Sequence, residues 1–250
     1  MSSRHDSLRD PKGAALVVIP AWNEARSIQQ VVRSVRQESG LDVLVVDDGS
    51  IDETGFLAKA AGARVVFLPM NMGAWTAIQT GFRYALANGY AVVLTMDADG
   101  QHFAESIPPL LLELQKNPYD VIVGANPARA TRCRQISWSF FRLLTAIELE
   151  DFTSGLKAYN QHAMRLLLKP RAHLFDYQDL GALLLMRRFG LNIKEVTVPM
   201  QNRLHGHSRV FSNWWHVIRY MLLSTALCIS KFRHFDNGER RRGGDNDTDI

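Results

Sequence analysis

Short, valine-rich apolar runs recur along the first half of the chain, and they restrict the fold more than any other feature of the sequence. The runs are Leu16–Ile19, Val43–Val46, Arg64–Leu68, Ala91–Thr95 and Val121–Val123. Continuous apolar runs of this length are typical of parallel strands that are buried on both faces of a sheet. Helical patterns separate the first four runs, so the sequence predicts a βαβαβαβ series, an α/β sheet with right-handed crossovers.

The predicted helices carry recognisable starts and stops. Between the first two strands an apolar residue recurs every three or four positions from residue 28 to residue 35, and Gly40 provides a helix stop. In the next segment, Ser50-Ile-Asp-Glu53 has the spacing of a capping box. We therefore expect Ser50 to be the N-cap of the second helix.

Composition narrows the class of protein. The 46% of apolar residues is enough for a core of ordinary size, which excludes fibrous and disordered classes. A net charge of +4 and a pI near 9.2 fall short of a nucleic-acid-binding signature, so no nucleic-acid partner is expected. Cys133 and Cys228 lie far apart without metal-ligand spacing, which predicts neither a disulfide framework nor a zinc site and favours a reducing, cytosolic setting.

Clusters of polar residues directly follow the first four predicted strands. These clusters are Pro20-Ala-Trp-Asn-Glu24, Asp47-Asp-Gly-Ser50, Asn71-Met-Gly73 and Asp97-Ala-Asp-Gly-Gln-His102. The carboxyl ends of parallel strands share one edge of the sheet, and ligands of open α/β sheets bind there. The sequence therefore predicts a single binding crevice at this edge.

The last cluster holds two carboxylates close together. In an extended chain Asp97 and Asp99 would face the same side, and a hard divalent cation such as Mg²⁺ or Mn²⁺ would relieve their repulsion. An acidic turn that caps the next helix would account for the same pair. His102 is compatible with a histidine whose hydrogen bonds are satisfied within the loop.

The first two clusters also allow a binding and a structural interpretation. Capping explains Asp48 and Ser50, and it leaves Asp47 to accept hydrogen bonds from a ribose or a nucleobase. Glu24, expected in the first turn of the first helix, would interact favourably with the helix dipole. Trp22 would serve either as a stacking platform or as a core aromatic.

The chain lacks both the dinucleotide-binding G-x-G-x-x-G after the first strand and the P-loop sequence, so any nucleotide is held in another way. Together with Asp151-Phe-Thr-Ser-Gly155, the four polar clusters resemble, in the same order, the motifs of the family-two inverting glycosyltransferases. Within that family the chain is most similar to polyprenyl-phosphate sugar transferases of the dolichol-phosphate mannose synthase type. The resemblance covers about residues 14 to 210.

The resemblance implies an A-type glycosyltransferase fold, which is a Rossmann-like, mostly parallel sheet flanked by helices. It also implies that Asp97, Asp99 and Gln101 hold Mg²⁺ or Mn²⁺. The residues expected to bind a nucleotide diphosphate sugar are Pro20, Trp22, Glu24, Asp47, Asp97, Arg134, Arg203, Ser208 and Arg209. The residues expected at the reaction centre are Asp97, Asp99, Asp151 and Arg209, with Ser154 as a further candidate.

The chain departs from the family pattern at two positions. Asn126 stands at the end of the fifth strand, where the relatives have a phosphate-binding arginine. Arg129, Arg132 or Arg134 is expected to replace it, and Arg134 best matches a second arginine of the family. Arg209 stands where the relatives have lysine, which keeps the positive charge but changes a compact ammonium into a planar fork.

Residues 213 to 230 combine paired tryptophans and aliphatic bulk with interrupting charges. The segment is too short and too charged to span a bilayer alone, but it fits an amphipathic helix at a membrane interface. Packing of a terminal helix on the core or in a dimer would also explain it. We expect a disordered tail at 1–13, the catalytic domain at 14–211, this helix within 212–233 and a second disordered tail at 234–250.

The sequence thus predicts an enzyme that transfers a sugar from a GDP- or UDP-linked donor to a polyprenyl phosphate, peripherally bound at the cytoplasmic face of a membrane. Two alternatives remain at this point. One is a soluble transferase that acts on a glycan hydroxyl with Asp151 or Asp179 as base. The other is an inactive glycosyltransferase-like partner domain, and homo-oligomer formation is left open.

Overall fold

The computed structural model of the chain describes residues 15–126, 154–169 and 180–201. Strands and helices alternate over the first of these ranges. In chain order the elements are β1 (Ala15–Ala21), α1 (Ile28–Ser39), β2 (Asp42–Asp47), α2 (Thr54–Ala60), β3 (Arg64–Phe67), α3 (Ala74–Ala87), β4 (Val92–Thr95), a 3₁₀ turn (Ala104–Ser106), α4 (Ile107–Lys116), β5 (Val121–Ala125), β6 (Lys157–Asn160), α5 (Gln161–Leu167), α6 (Leu180–Arg188) and β7 (Ile193–Thr197).

Seven strands form one sheet in the order β3-β2-β1-β4-β6-β5-β7. The pairs β1–β2, β2–β3, β1–β4 and β5–β7 are parallel, whereas β6 pairs antiparallel with both β4 and β5. All five strands predicted from the sequence are present. The chain runs outward from β1 to β3 and then returns to place β4 on the other side of β1, so the strand order reverses between β1 and β4. Such a reversal opens a crevice at the carboxyl edge.

The sheet is covered by apolar residues on both faces, as the continuous apolar runs predict. In β1, Leu16 and Val18 pack into a core on one face, and Val17 and Ile19 pack into a second core on the other. Helices α3, α5 and α6 contribute to the first core, and α1 and α4 to the second. The sheet is therefore a rigid central layer, and the loops at its carboxyl edge project from fixed strand ends.

The first helix matches its prediction and the second does not. Helix α1 ends at Gly40, whose φ of 65° lies in the left-handed region that glycine adopts readily. Helix α2 begins at Thr54 with Glu53 as the N-cap residue, so the prediction of Ser50 as N-cap is wrong. The Ser50 hydroxyl accepts a hydrogen bond from the Asn23 amide, 3.0 Å away, and thereby connects two loops instead of starting a helix.

The sequence pattern missed β6 and β7. Strand β6 inserts between β4 and β5 and reverses the local direction of the sheet. Across the three described ranges, no helix is both long enough and apolar enough to cross a membrane. The expected interfacial helix within 212–233 and the expected tails at 1–13 and 234–250 lie outside these ranges.

Candidate active site

The loops that follow β1 and β2 are fastened to each other at the carboxyl edge of the sheet. The main-chain amide of Asn23 donates to the Ser50 hydroxyl, and the Asn23 side chain accepts a hydrogen bond from the Ile51 amide at 2.9 Å. The Glu24 amide donates to the Thr54 hydroxyl at 2.8 Å. Asn23 adopts a positive φ of 55°, which asparagine tolerates better than most residues. The two loops therefore form one fixed wall of the predicted crevice.

Three residues expected to bind the donor lie on this wall. Pro20 is the sixth residue of β1. At this position β1 still pairs with β2, but its pairing with β4 has already ended at Val18. The N–H that proline lacks therefore leaves no gap in the hydrogen-bond ladder between β1 and β4. Trp22 is 36% exposed, which does not fit a core aromatic, and its role as a stacking platform stays a prediction. Glu24 lies before helix α1 rather than in its first turn, and its carboxylate accepts a hydrogen bond from the Ser27 hydroxyl.

The tandem carboxylates after β2 have separate roles. The Asp47 Oδ1 atom accepts a hydrogen bond from the Ser50 amide at 2.9 Å, and the residue is only 3% exposed. A Cβ on Gly55 would lie 2.5 Å from Asp47 Oδ2, so glycine is required there for this carboxylate to fit. Asp47 therefore shapes the turn as well as being the candidate nucleoside contact.

Asp48 connects the β2 loop to the β3–α3 loop. Its two carboxylate oxygens accept hydrogen bonds from the amides of Met72 at 2.7 Å and Gly73 at 2.9 Å. Burial raises the pKa of the Asp48 carboxyl above its ordinary value, although both amide hydrogen bonds act in the opposite direction. Gly49 is needed beside it, because it has a φ of 68° and a Cβ there would lie 2.4 Å from the Met70 carbonyl carbon. Asp48 thus has a structural role, but it holds the β3–α3 loop instead of capping the helix after β2 as predicted.

The loop after β4 carries the acidic pair. Strand β4 ends at Thr95 and the chain turns at Ala98, so Asp97 and Asp99 do not face the same side of an extended chain, contrary to the prediction from the sequence. The Asp97 side chain is 35% exposed. Asp99 is 4% exposed and its Oδ1 accepts a hydrogen bond from the Gln101 amide at 3.0 Å. The loop thus leaves the Asp97 carboxylate partly exposed to solvent, whereas the buried Asp99 carboxylate is hydrogen-bonded to the backbone of the loop itself.

Gly155 lies directly against the Asp97 carboxylate. A Cβ on Gly155 would lie 2.2 Å from both carboxylate oxygens of Asp97, closer than any real contact. The Thr95 hydroxyl donates to the Gly155 carbonyl at 2.9 Å and fastens this segment to the end of β4. Gly155 belongs to the Asp151-Phe-Thr-Ser-Gly155 motif but was not predicted to have a role of its own, although a glycine near a strand end is a recognised sign that another group approaches closely.

Ser154, a further candidate for the reaction centre, is buried and makes structural hydrogen bonds, and a part in the reaction stays a prediction. It is 2% exposed, its hydroxyl donates to the Gly124 carbonyl, and the same hydroxyl oxygen accepts from the Leu156 amide at 3.3 Å. The ammonium of Lys157, itself 4% exposed, donates to the Ser154 carbonyl. These contacts connect the end of β5 to the start of β6 and fix the position of Gly155.

His102 is not the satisfied loop histidine that the sequence allowed. Its side chain is 1% exposed, and its Nε2 lies 3.7 Å from Asp97 Oδ2, beyond hydrogen-bond distance. Neither ring nitrogen has a hydrogen-bond partner within the part of the chain that the structure describes. Buried polar groups are nearly always paired, so this residue requires an explanation.

The donors on this loop fit a hard divalent cation. Asp97, Asp99 and Gln101 offer two carboxylates and an amide oxygen within five residues, and Mg²⁺ is usually bound by one or two carboxylates with waters and substrate phosphates as further ligands. Residues 15–126, 154–169 and 180–201 contain no group of three or more His, Cys, Asp or Glu side chains placed to hold a metal. A site with two carboxylates would therefore depend on the substrate to complete its coordination.

Of the other residues considered for the site, only Asn126 lies within the described ranges. Asn126 follows β5 directly and is half-buried. The remaining candidates, which lie outside the described residues, are Arg129, Arg132, Arg134, Asp151, Asp179, Arg203, Ser208 and Arg209.

Gly155→Ala should reduce turnover strongly and change folding stability little. Alanine suits the Gly155 backbone, which has no positive φ, so the added methyl acts mainly by displacing the Asp97 carboxylate. A misplacement of about 1 Å at a reacting centre can cost about 10²-fold in rate. Steady-state kinetics on the purified variant, with its melting temperature, would measure both effects.

Gly124→Ala is the matched control. Its added Cβ would lie 3.1 to 3.3 Å from apolar atoms of Leu156 and Val198, so it crowds the end of a neighbouring strand without touching Asp97. If Gly155→Ala lowers turnover because it displaces the Asp97 carboxylate, the same substitution should lower turnover little further in a chain that already carries Asp97→Asn. Equal and additive losses in both backgrounds would contradict this explanation.

Comparison with known proteins finds sequence similarity to glycosyltransferases. The model of the family described as glycosyl transferase family 2 matches residues 16–172. The chain is 30% identical over 217 residues to the undecaprenyl-phosphate mannosyltransferase of Micrococcus luteus, covering 78% of this chain and 86% of that protein. It is 29% identical over 171 residues to the polyprenol monophosphomannose synthase of Mycolicibacterium smegmatis, covering 62% and 64%.

Solved structures support the fold. The glucosyl-3-phosphoglycerate synthase of Mycobacterium tuberculosis, crystallised with Mn²⁺ and uridine-diphosphate-glucose, matches with a TM-score of 0.63 at 23% identity. The match covers 84% of this chain and 78% of that one. The same enzyme has been crystallised with Mg²⁺ and uridine diphosphate, and that structure matches with a TM-score of 0.59. The predicted A-type glycosyltransferase fold is confirmed for the described residues.

Proposed function

Because the chain belongs to glycosyl transferase family 2, and is therefore a glycosyltransferase, we propose that it transfers a hexose-type sugar from a nucleotide diphosphate sugar to a polyprenyl phosphate. The observation that carries this proposal is the loop from Asp97 to Gln101 at the carboxyl edge of the sheet. The relatives named as prenyl-phosphate sugar transferases support the acceptor class. The donor carries GDP or UDP, and the reaction inverts the configuration at C1.

The wall formed by the β1 and β2 loops would receive the nucleoside. Trp22 offers an exposed aromatic face for stacking on a base. Pro20 and Glu24 would line the same pocket, and Asp47 would approach the ribose or base from the end of β2. Because hydrogen bonds fasten the two loops together, the pocket would need little reordering when the donor binds.

Asp97, Asp99 and Gln101 would hold the divalent cation, Mg²⁺ or Mn²⁺. When bound, this ion neutralises charge on the departing diphosphate. The partly exposed Asp97 is the carboxylate of the pair that faces the crevice, while the buried Asp99 stabilises the turn through the Gln101 amide. Gly155 leaves the space that the Asp97 carboxylate occupies.

The acceptor chemistry needs no strong base. A phosphate oxygen of the lipid, already ionised near neutral pH, forms a bond to C1 of the sugar. The bond from C1 to the diphosphate oxygen breaks, and its electron pair leaves with the nucleoside diphosphate. Attack from the face opposite the leaving group inverts C1. Arg203, Arg209 and Arg134, with Ser208, would hold the two phosphate groups near each other.

Hydrolysis of the donor without acceptor tests this proposal economically. The chain should release sugar slowly from at least one GDP-, UDP- or dTDP-linked donor, only with Mn²⁺ or Mg²⁺, and the same donor should raise the melting temperature. The half-buried Asn126, in place of an arginine, is the feature that favours an inactive partner domain. Absence of both metal-dependent hydrolysis and thermal stabilisation with every donor would support that alternative.

The catalytic domain is proposed to span 14–211, and an amphipathic helix within 212–233 would attach it to the cytoplasmic face of a membrane. This segment contains Trp214, Trp215, Lys231 and Arg233, and Arg240 to Arg242 follow it in the sequence. Tryptophan is enriched at membrane interfaces, and basic residues near a membrane are attracted by anionic lipids. The lipid acceptor itself lies at such a surface.

Sedimentation with lipid vesicles should therefore recover the protein in proportion to anionic lipid content, and added salt should weaken the binding. Changing both Trp214 and Trp215 to Ser should reduce pelleting, since the flanking charges alone bind weakly. A variant that keeps the tryptophans but replaces Arg240 to Arg242 with Gln separates the two contributions. Pelleting that is unchanged in the double Ser variant would mean that the tryptophans pack against protein.

A further inference from the structure

The His102 ring has an unusual combination of burial and unpaired nitrogens. The side chain is 1% exposed, yet neither nitrogen is hydrogen-bonded to any residue that the structure describes. Each unpaired buried nitrogen lowers folding stability because the hydrogen bond that it makes to water in the unfolded chain is not replaced. Such a cost at the edge of an active site suggests that the ring serves the site rather than the core.

The main chain of His102 is held by the segment that follows β7. His102 forms an antiparallel β-bridge with Met200. On one side of this bridge the Gln201 amide donates to the Gln101 carbonyl at 2.9 Å, and the Gln201 side chain donates to the Gly100 carbonyl at 2.8 Å. The segment that follows β7 thus holds the backbone of the loop that carries the ring.

The Asp97 carboxylate lies close to the ring. Nε2 of His102 lies 3.7 Å from Asp97 Oδ2, and Gly155 lies against the same carboxylate. A movement of about 1 Å would bring the two atoms to hydrogen-bond distance. Hydrogen bonds in active sites are often long without substrate and shorten in the reactive complex. Because the histidine backbone is held, the carboxylate is the partner that would move.

We propose that His102 is a positioning residue, whose Nε2–H donates to Asp97 Oδ2 and holds this carboxylate in the orientation that binds the divalent cation. Groups that hydrogen-bond to metal ligands orient them and raise metal affinity. Gly155 provides the space and His102 the hydrogen bond. The inference rests on the proposed function, since it assigns Asp97 to the metal.

Mn²⁺ binding tests this role directly. The free aquated Mn²⁺ signal in electron paramagnetic resonance would be measured on the full chain with UDP and, separately, with GDP. His102→Phe keeps the ring volume and removes both nitrogens, so Mn²⁺ affinity should fall about ten- to a hundredfold while the melting temperature is unchanged or higher. His102→Gln keeps an N–H donor at similar reach and should stay near the wild-type affinity.

Two further variants keep the test decisive. Ser106→Ala is the matched control, because the Ser106 hydroxyl is also buried and unpaired among the described residues, and this change should leave Mn²⁺ binding unaltered. His102→Asn has a side chain too short to reach Asp97 and should weaken binding as Phe does. It serves as the test if the Phe variant does not fold.

The failure of this inference is distinguishable from the failure of the proposed function. Wild-type affinity in both His102→Phe and His102→Asn, with Mn²⁺ bound by the unaltered chain, would overturn the positioning role and leave the function standing. Nitrogen coupling to bound Mn²⁺ that disappears in His102→Phe would overturn it as well, because the ring would then be a direct ligand. A wild-type chain that binds no Mn²⁺ with either nucleotide would contradict the metal-dependent function and the positioning role together.

Discussion

Asp99→Asn should lower metal-dependent turnover by about 10²-fold while the fold stays intact. Asp99 is 4% exposed, and its Oδ1 accepts a hydrogen bond from the Gln101 amide. An asparagine oxygen can accept the same hydrogen bond, so the turn survives while one negative charge is lost. Asp97→Asn should have an effect of similar size, because Asp97 is the partly exposed carboxylate of the proposed metal-binding pair. Turnover as a function of Mn²⁺ concentration would measure the loss.

Glu105→Gln is the control for the loss of charge. Glu105 is exposed in the 3₁₀ turn that follows the same loop, so its neutralisation changes the local field without removing a proposed ligand. Turnover of Glu105→Gln should remain near that of the wild type. If Asp99→Asn destroys the geometry of the metal site, excess metal should not restore its turnover. Unchanged turnover in Asp99→Asn would refute the metal assignment of the loop.

The acceptor should depend on positive charge more than on a general base. If a phosphate oxygen is the nucleophile, Arg203→Ala and Arg209→Ala should lower acceptor-dependent turnover by about 10²-fold, because they remove the cations that hold two phosphate groups near each other. Asp179→Asn should cost little. Removal of a positioned general base typically costs about 10²–10⁴-fold, so the two acceptor classes are well separated.

Arg209→Lys refines the acceptor test. The family resemblance implies lysine at this position, so the variant keeps the positive charge and should retain most of the activity that Arg209→Ala loses. Donor binding, followed by thermal shift, should be near normal in Asp179→Asn. A large loss of turnover in Asp179→Asn, with product formed on a free glycan, would favour the hydroxyl-acceptor transferase.

The strands and the position of the site could be predicted because their signals are local. Each of β1 to β5 coincides with a run of apolar residues that is visible in the sequence without knowledge of its partners. The polar residues that follow the first four strands then predict the crevice. Strand β6 has no such signal. It is four residues long and includes Lys157, which is buried although lysine rarely is. Its antiparallel pairing with β4 joins residues more than sixty positions apart, and no local pattern reports such a partner.

Roles of individual side chains were harder to predict than their location. The sequence showed two adjacent carboxylates at the end of β2, but their division of roles depends on the amides that they reach: Ser50 for Asp47, and the amides of the β3–α3 loop for Asp48. The approach of Gly155 to Asp97 joins residues 58 positions apart, and the unpaired state of His102 is a property of the packed loop. These features require three-dimensional contacts.

Transfer of labelled sugar into a lipid phase tests the central claim most directly. The purified chain would be incubated with GDP- and UDP-linked sugars, undecaprenyl phosphate and Mn²⁺, with EDTA and undecaprenol in parallel reactions. We expect label in the organic phase only with the phosphorylated lipid and the metal, release of the sugar on mild acid hydrolysis, and the inverted configuration at C1 in the NMR spectrum of the intact lipid product. Equal labelling of undecaprenol, metal-independent transfer, or transfer only to a free glycan would contradict it.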